Sequence, residues 1–236
     1  MVAVPKPGGD TSLPKGYRPV SLLSCLSKVL ERIVTDRLVH VLERSSMLTD
    51  QQFGFRKTRG TELALWHFVN AASHALQSRR KTIMLALDIQ GAYDRVWHAG
   101  LLVKLADLGI SPSLVGWIHA FLSDRMAYLR VGETVERRQL DMGVPQGSPL
   151  SPILFLVFID DLVRDLSTIA HAQAFADDVV VWWHATKGES GESTGCKVLG
   201  IVEQWSIAWK AVFNPSKCQF MVISRLRGDP LPTLTL

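Results

Sequence analysis

Three acidic residues raise the question of chemistry. Asp88 closes an apolar run from Lys81, while Asp177 and Asp178 sit side by side between the almost wholly apolar stretches Ala172–Ala176 and Val179–Trp183. Asp is a common turn former, and an Asp-Asp pair in a loop carries little meaning by itself. Held against an apolar core, however, two adjacent carboxylates repel one another and lose hydration unless cations neutralise them. A third carboxylate at a neighbouring strand end would complete a hard-oxygen cage suited to Mg²⁺. Two such ions about 4 Å apart activate a hydroxyl and stabilise a leaving oxygen in phosphoryl transfer.

Elements able to position these groups can be read along the chain. Lys81 to Asp88 alternates as a strand, with Ile83, Leu85 and Leu87 on one side and Met84, Ala86 and Asp88 on the other. Ala172 to Trp183 predicts a strand, a tight Asp177-Asp178 turn and a second strand. Apolar residues at helical spacing (Leu22, Leu26, Val29, Ile33, then Val34, Leu38, Val41 and Leu42) mark a helix over about 22–42, and a second runs roughly from Thr61 to Gln77. The Val4–Asp10 segment is a turn-rich basic loop, and Gln51–Gly60 is a loop carrying Arg56, Lys57 and Arg59. Two short helices follow the first strand, one ending at Gly109 and one covering about Pro112–Ser123. Met126–Gln139 reads as a hairpin around Gly132. Ser148 as N-cap and Pro149 at the first helical position open a helix to about Leu166. A flexible loop over Lys187–Gly195, a helix to about Val212, a turn at Asn214-Pro215 and a strand Gln219–Ser224 complete the ordered part. Helices and strands mix without internal repeats, so the class is α+β or α/β.

The 236 residues, 47% apolar and 20% charged, suit one or two globular domains rather than a disordered or fibrous chain. Cys25, Cys196 and Cys218 lie far apart, which argues against a disulfide framework or a zinc knuckle and for a reducing compartment. Residues 1–80 hold 12 Lys+Arg against 6 Asp+Glu, a balance of +6; the remainder holds 14 against 16, a balance of −2. A basic first third ahead of a carboxylate-bearing remainder suits a polyanion track beside an acidic site. Met142–Ile159 is an 18-residue stretch without charge, but its first eleven residues hold Gly143, Pro145, Gly147, Pro149 and Pro152. A buried core helix is therefore expected in place of a membrane span.

The order of the pieces is more specific than any one of them. Asp88-Ile-Gln-Gly-Ala-Tyr-Asp94 is followed by Gly143-Val-Pro-Gln-Gly-Ser-Pro149, then Phe175-Ala-Asp-Asp178, then Asn214-Pro-Ser-Lys217. With Tyr17-Arg-Pro-Val-Ser-Leu22 and Gln52-Phe-Gly-Phe-Arg56 ahead of them, the chain resembles, over about Val4–Ser224, the reverse transcriptase domain of non-LTR (LINE-type, jockey-like) retrotransposons. The resemblance implies an α+β right-hand polymerase fold whose palm is an antiparallel sheet packed on helices. It implies fingers over 1–80, a palm over 81–228 with a further fingers part interleaved at about 100–140, a tail over 229–236, and a thumb absent or truncated. A preceding endonuclease is expected in complete elements of this kind, so the chain is expected to be a fragment or the product of a decayed element.

The implied activity is RNA-directed DNA polymerisation: a primer 3′-hydroxyl attacks the α-phosphate of a dNTP and pyrophosphate departs. Asp88, Asp177 and Asp178 are the implied ligands of two Mg²⁺ ions (Mn²⁺ being an alternative), with the Ile89 carbonyl as an extra oxygen. Tyr93 matches the bulky residue under the sugar that excludes a 2′-hydroxyl by clash; core packing is the plainer alternative. Gln146 and Gly147 match contacts to the incoming nucleotide, Gln146 also to the template strand, and Gly143 with Gly147 lets backbone approach a ligand closely. Lys6 and Arg18 match the positions that hold the triphosphate. Arg56, Lys57 and Arg59 are expected along the template, or as plain solvated cations. Lys217 matches the lysine that protonates departing pyrophosphate, and Asp94 has no evident role. Expected partners are RNA template, DNA primer and dNTP, with no membrane and a cytoplasmic or nuclear location. The competing readings are a catalytically silent nucleic-acid-binding fragment and an RNA-directed RNA polymerase, the latter a poor match to Tyr93.

Overall fold

The structure is a computed structural model that describes residues 1–13, 16–131, 134–225, 228 and 230–234. In chain order its elements are β1 (Val2–Pro5), β2 (Tyr17–Val20), α1 (Cys25–Arg44), α2 (Thr61–Gln77), β3 (Lys81–Asp88), α3 (His98–Asp107) and α4 (Pro112–Leu122). There follow β4 (Arg125–Val131), β5 (Thr134–Leu140), α5 (Ser151–Ser167), β6 (His171–Phe175), β7 (Asp178–Ala185), α6 (Glu192–Trp209) and β8 (Gln219–Ile223). The chain forms two compact units, Met1–Met47 with Gly91–Phe158, and Leu48–Gln90 with Ile159–Leu236.

The second unit is built on an antiparallel sheet of order β6-β7-β3-β8. Alternation along β3 sets its two faces. Ile83, Leu85 and Leu87 pair with Trp183, Val181 and Val179, all buried. The N-terminal turn of α6 lies on this face, where the Trp183 indole donates to Gly191 O at 2.9 Å. On the opposite face Phe68 of α2 meets Trp182 edge-on, with centroids 5.4 Å apart. Cover thins along that face: Trp182 is buried, Ala86 and Val180 are partly exposed, and Asp178 is exposed. The carboxylates thus occupy the open end of a face whose other end is sealed.

In the first unit β1 pairs with β2 and β4 with β5, each as an antiparallel ribbon. Ser24 caps α1, accepting from Ser27 N at 3.0 Å, and Pro112 occupies the first turn of α4. α5 is buried all round from Leu154 to Asp160, which is why Ile153–Ile159 is uniformly apolar rather than striped. Among the described residues no helix is long and apolar enough to cross a membrane.

Several sequence expectations shift. Val4 and Pro5, the start of the expected Val4–Asp10 loop, end a strand over Val2–Pro5, because Tyr17–Val20 supplies its partner. α1 starts at Cys25, and Leu22, Leu26, Val29 and Ile33 are exposed while Glu31 is buried; periodicity marks the helix without guaranteeing which side faces inward. α5 starts at Ser151 and not at Pro149, although the Ser148 hydroxyl accepts from Leu150 N at 3.1 Å while donating to Glu31. The tight turn is Ala176-Asp177, since Asp178 already pairs with Phe175 in β7. α6 stops at Trp209, where Lys210 turns left-handed (φ 55°), instead of running to Val212. Val212 accepts from Gln90 N, and Phe213 bridges to Ile89. Gly132, the centre of the expected hairpin, and residues 229, 235 and 236 of the expected tail lie outside the described residues.

Candidate active site

The sequence candidates divide between the two units. Asp88, Ile89, Asp177, Asp178 and Lys217 fall in the second; Lys6, Arg18, Tyr93, Gln146 and Gly147 fall in the first.

In the second unit β3 and β7 pair in a register that sets Asp88 directly opposite Asp178. Directly opposed residues of an antiparallel pair project to the same face with Cβ atoms about 5 Å apart, so residues ninety positions apart in sequence meet at one sheet end. Asp177 occupies the adjoining turn. Ala176, at φ 57°, takes the left-handed conformation this two-residue turn requires. The turn is clamped from outside: Phe53 N donates to Ala174 O at 2.8 Å and Ala174 N to Gln51 O at 2.9 Å. A Cβ on Gly54 would come within 2.5 Å of Ala176 N, so only glycine fits there. Gln52 is fully buried and donates to Asp160, which also accepts from Thr49 N and Arg164. The Gln52-Phe-Gly-Phe-Arg56 motif therefore braces the carboxylate turn, a role its sequence does not announce. Arg56 is buried and donates to Thr49 O and Gln52 O, while Arg59 pairs with Asp50. Neither is a freely solvated cation; both fold back to hold their own loop. Lys57, by contrast, is exposed.

Asp88 is held through its backbone, with Asn214 N donating to its carbonyl at 2.8 Å. The Ile89–Phe213 bridge is flanked by that bond and by Gln90 N to Val212 O, leaving the Ile89 carbonyl out of the pairing. Lys217 Nζ stands 3.7 Å from Asp88 Oδ2, a buried oxygen that accepts no hydrogen bond. Burial first, then the neighbouring charges of Asp177 and Asp178's partner Asp88, raise the pKa of Asp178. Asp177 and Asp178 are nonetheless exposed, so the expected dehydration against a core is milder than their flanks suggested. Among the described residues no group of three His, Cys, Asp or Glu side chains is gathered tightly enough to hold a metal as it stands. The donor set still suits a hard divalent cation: three carboxylates at one strand end, an orphaned buried oxygen, and a raised proton affinity that a cation would reverse.

In the first unit the Gly143–Pro149 loop is bound to the segment around Tyr93. Val144 N donates to Tyr93 O at 2.7 Å and Gly143 N to Val96 O at 2.8 Å. Gly143 (φ 85°) is needed because a Cβ would fall 2.6 Å from Asp94 O; its freedom serves this internal approach. The Tyr93 ring stacks on Phe155, with centroids 5.2 Å apart and planes 14° off parallel, and keeps an exposed edge. Gln146 donates to Asp94 at 3.0 Å. Burial raises the Asp94 pKa, opposed by that hydrogen bond and by the charge of Lys6. Asp94 thereby gains a role, collecting Gln146 and Lys6 around one carboxylate. Gly147 is exposed beside Ser21, and Arg18 is exposed on β2 opposite Val4.

The loop has a second anchor that sequence reasoning missed. Glu31, 1% exposed, accepts from Ser27 Oγ at 2.6 Å and from Ser148 Oγ at 2.5 Å. Its charge also opposes the fall that burial imposes on the Arg125 pKa. Nothing in the sequence set it apart, since Glu31 stands among Lys28, Arg32, Asp36 and Arg37 like an ordinary surface charge. Glu31→Ala should cost about 3 kcal/mol in urea unfolding, since a buried and a part-buried hydroxyl lose their acceptor and the partly buried Arg125 loses a neighbouring negative charge. Glu31→Gln, which keeps an acceptor oxygen, should cost about 1 kcal/mol. Equal losses for both would show that shape alone matters there.

Comparison with known proteins bears on what these groups do together. Residues 4–230 match the family model described as reverse transcriptase (RNA-dependent DNA polymerase). The RNA-directed DNA polymerase from mobile element jockey of Drosophila funebris is 33% identical over 225 residues, 92% of this chain and 24% of that protein. The probable RNA-directed DNA polymerase from transposon X-element of Drosophila melanogaster is 32% identical over 232 residues, 96% and 25% respectively. The chain thus spans about a quarter of the length of these curated relatives. Among solved structures, telomerase from Candida tropicalis in complex with a fragment of telomeric RNA superposes with a TM-score of 0.63 at 16% identity, over 87% of this chain and 34% of that one. The apo telomerase truncated from its C-terminal domain gives 0.62 at 15% identity, over 85% and 41%. At such identity the likeness concerns the fold, which is that of a right-hand polymerase.

Proposed function

Since the chain belongs to the reverse transcriptase (RNA-dependent DNA polymerase) family, among the polymerases of non-LTR retrotransposons, we propose that it extends a DNA primer on an RNA template with dNTPs. The observation that carries this reading is the Asp88–Asp178 register with Asp177 in the adjoining turn. Reverse transcriptases use divalent metal ions, and here Asp88, Asp177, Asp178 and the Ile89 carbonyl would hold two of them. Bound there, they supply Lewis acidity to the primer hydroxyl and to the leaving oxygen.

The remaining steps belong to the chain's own residues. Lys6 and Arg18 bind the triphosphate, and Gln146, oriented by Asp94, positions the nucleotide with Gly147 beneath it. Tyr93 stands under the sugar as a wall. The primer 3′-hydroxyl gives its proton to solvent as its oxygen forms a bond to the α-phosphorus and the bond to pyrophosphate breaks. Lys217, already beside Asp88, returns a proton to the departing pyrophosphate. In this assignment 81–228 serves as palm, with 1–80 and the interleaved stretch at about 100–140 as fingers, and the protein works in the cytoplasm or nucleus.

The test is primer extension by the purified chain on an RNA template with Mg²⁺, comparing dNTPs with NTPs. Incorporation of dNTPs in strong preference to NTPs is the expected result. Salt-dependent RNA binding with no incorporation would instead mark a silent binding fragment, and NTP preference an RNA polymerase.

A further inference from the structure

The sheet that carries the carboxylates at one end carries cations at the other. Arg80 and Arg225 each lie two residues beyond the last β3–β8 pair, Thr82–Ile223. Arg79 and Lys187 likewise each lie two residues beyond the last β3–β7 pair, Lys81–Ala185. Arg79, Arg80 and Arg225, with Leu76 and Gln77, line a cavity of about 390 Å³. It lies roughly 26 Å from Asp88, taking eight residues of extended chain.

Among the described residues none of the three guanidinium groups is given a hydrogen bond or ion pair. Glu189 feels the charges of Arg80 and Lys81, but it is fully exposed and accepts from Thr186 N at 2.9 Å. The positive field is felt by His184, whose pKa is pushed down to about 4 by burial and then by Arg80, His171 and His74. Like charges brought together without a counter-ion repel, and arginine forks match phosphate oxygens in pairs. The volume equals that of roughly a dozen waters, more than one phosphate fills. Among the described residues Leu76 is the only apolar lining residue, too little for the apolar core of a protein interface.

We propose that this arginine-lined cavity is a second RNA site, taking successive phosphodiesters of a strand away from the carboxylates. The assignment rests on the reading that the chain handles RNA.

The test is binding of a labelled single-stranded RNA across a salt series with EDTA present, so that no incorporation is needed. Arg79→Gln/Arg80→Gln/Arg225→Gln should bind about tenfold more weakly at about 0.1 M salt, with a log–log salt slope shallower by about 2. A charge-matched control at exposed cations elsewhere, Lys28→Gln/Arg44→Gln/Lys197→Gln, should lose clearly less. The cavity variant should melt no lower than the parent, because among the described residues its cations form no hydrogen bond or ion pair. If both variants lose affinity equally, the cavity is not an RNA site although the chain still binds RNA. If the parent binds no RNA at all, the functional reading falls with it. Inorganic phosphate erasing the difference would make the cavity a small-anion site, and poly-glutamate doing so a protein-docking site; either result overturns the proposal.

Discussion

Asp177→Asn is expected to lower nucleotide incorporation by on the order of 10³-fold or more while leaving the far-UV circular dichroism of the chain unchanged. The side chain is exposed in a two-residue turn braced by Gln51–Gly54, so an isosteric amide disturbs no packing. What it removes is charge from the carboxylate cluster. Losing about 4 kcal/mol of cation-mediated stabilisation of the transition state corresponds to that factor. A second readout separates chemistry from structure. Asp178 binds its proton more tightly in the folded chain than in the unfolded one, through burial and the charges of Asp177 and Asp88. The folded state therefore holds more protons in the window above about pH 4, and stability falls as pH rises through it. The cost persists at neutral pH. Removing the Asp177 charge relieves part of it, so in EDTA at neutral pH the variant should melt about 1–2 °C above the parent, a gap that closes in acid. Mg²⁺ should raise the parent's melting temperature more than the variant's. Full residual incorporation would refute the catalytic assignment, and a lower melting temperature would show that Asp177 is structural.

Tyr93→Ala is expected to reduce discrimination against ribonucleotides by on the order of 10²-fold, equivalent to about 3 kcal/mol of steric exclusion. A wall excludes a hydroxyl only if it does not yield. The near-parallel stack on Phe155 and the bond from Val144 N to the Tyr93 carbonyl hold both ring and backbone in place. Tyr93→Phe keeps the ring and should keep the discrimination. The alanine variant also loses the stack and should be about 2–3 kcal/mol less stable in urea, so dNTP and NTP rates must be compared on folded protein. Unchanged discrimination in that variant would retire the steric argument and leave Tyr93 as a packing residue.

Local order was legible where a segment's own pattern decides it. α2 and β3 run over the residues that helical spacing and strict alternation mark, because each periodicity is a property of the segment alone. The right-hand fold and the family were legible in the order of short motifs. Several local readings went astray because a partner outside the segment's own pattern, near or far along the chain, captured a group. Ser148 looks like a helix cap and its hydroxyl does accept from Leu150 N, yet it also donates to the distant Glu31. Arg56 looks like a surface cation, yet the carbonyls of Thr49 and Gln52 bury it. The Asp-Asp pair looks like the turn itself, yet pairing to Phe175 and Asp88 pulls Asp178 into the strand.

By itself, then, the sequence determined which groups are available for chemistry and in what order along the chain: Asp88, Tyr93, Gln146, Asp177, Asp178 and Lys217 were all visible as residue types in recognisable surroundings. Only the tertiary structure decided which of them meet. Strand register set Asp88 against Asp178, and the packing of turns set Lys217 beside Asp88 and Gln146 on Asp94. A one-residue slip of β7 against β3 would send that carboxylate to the other face without altering any local pattern. Register depends on long-range pairing and packing, which no window of the chain contains.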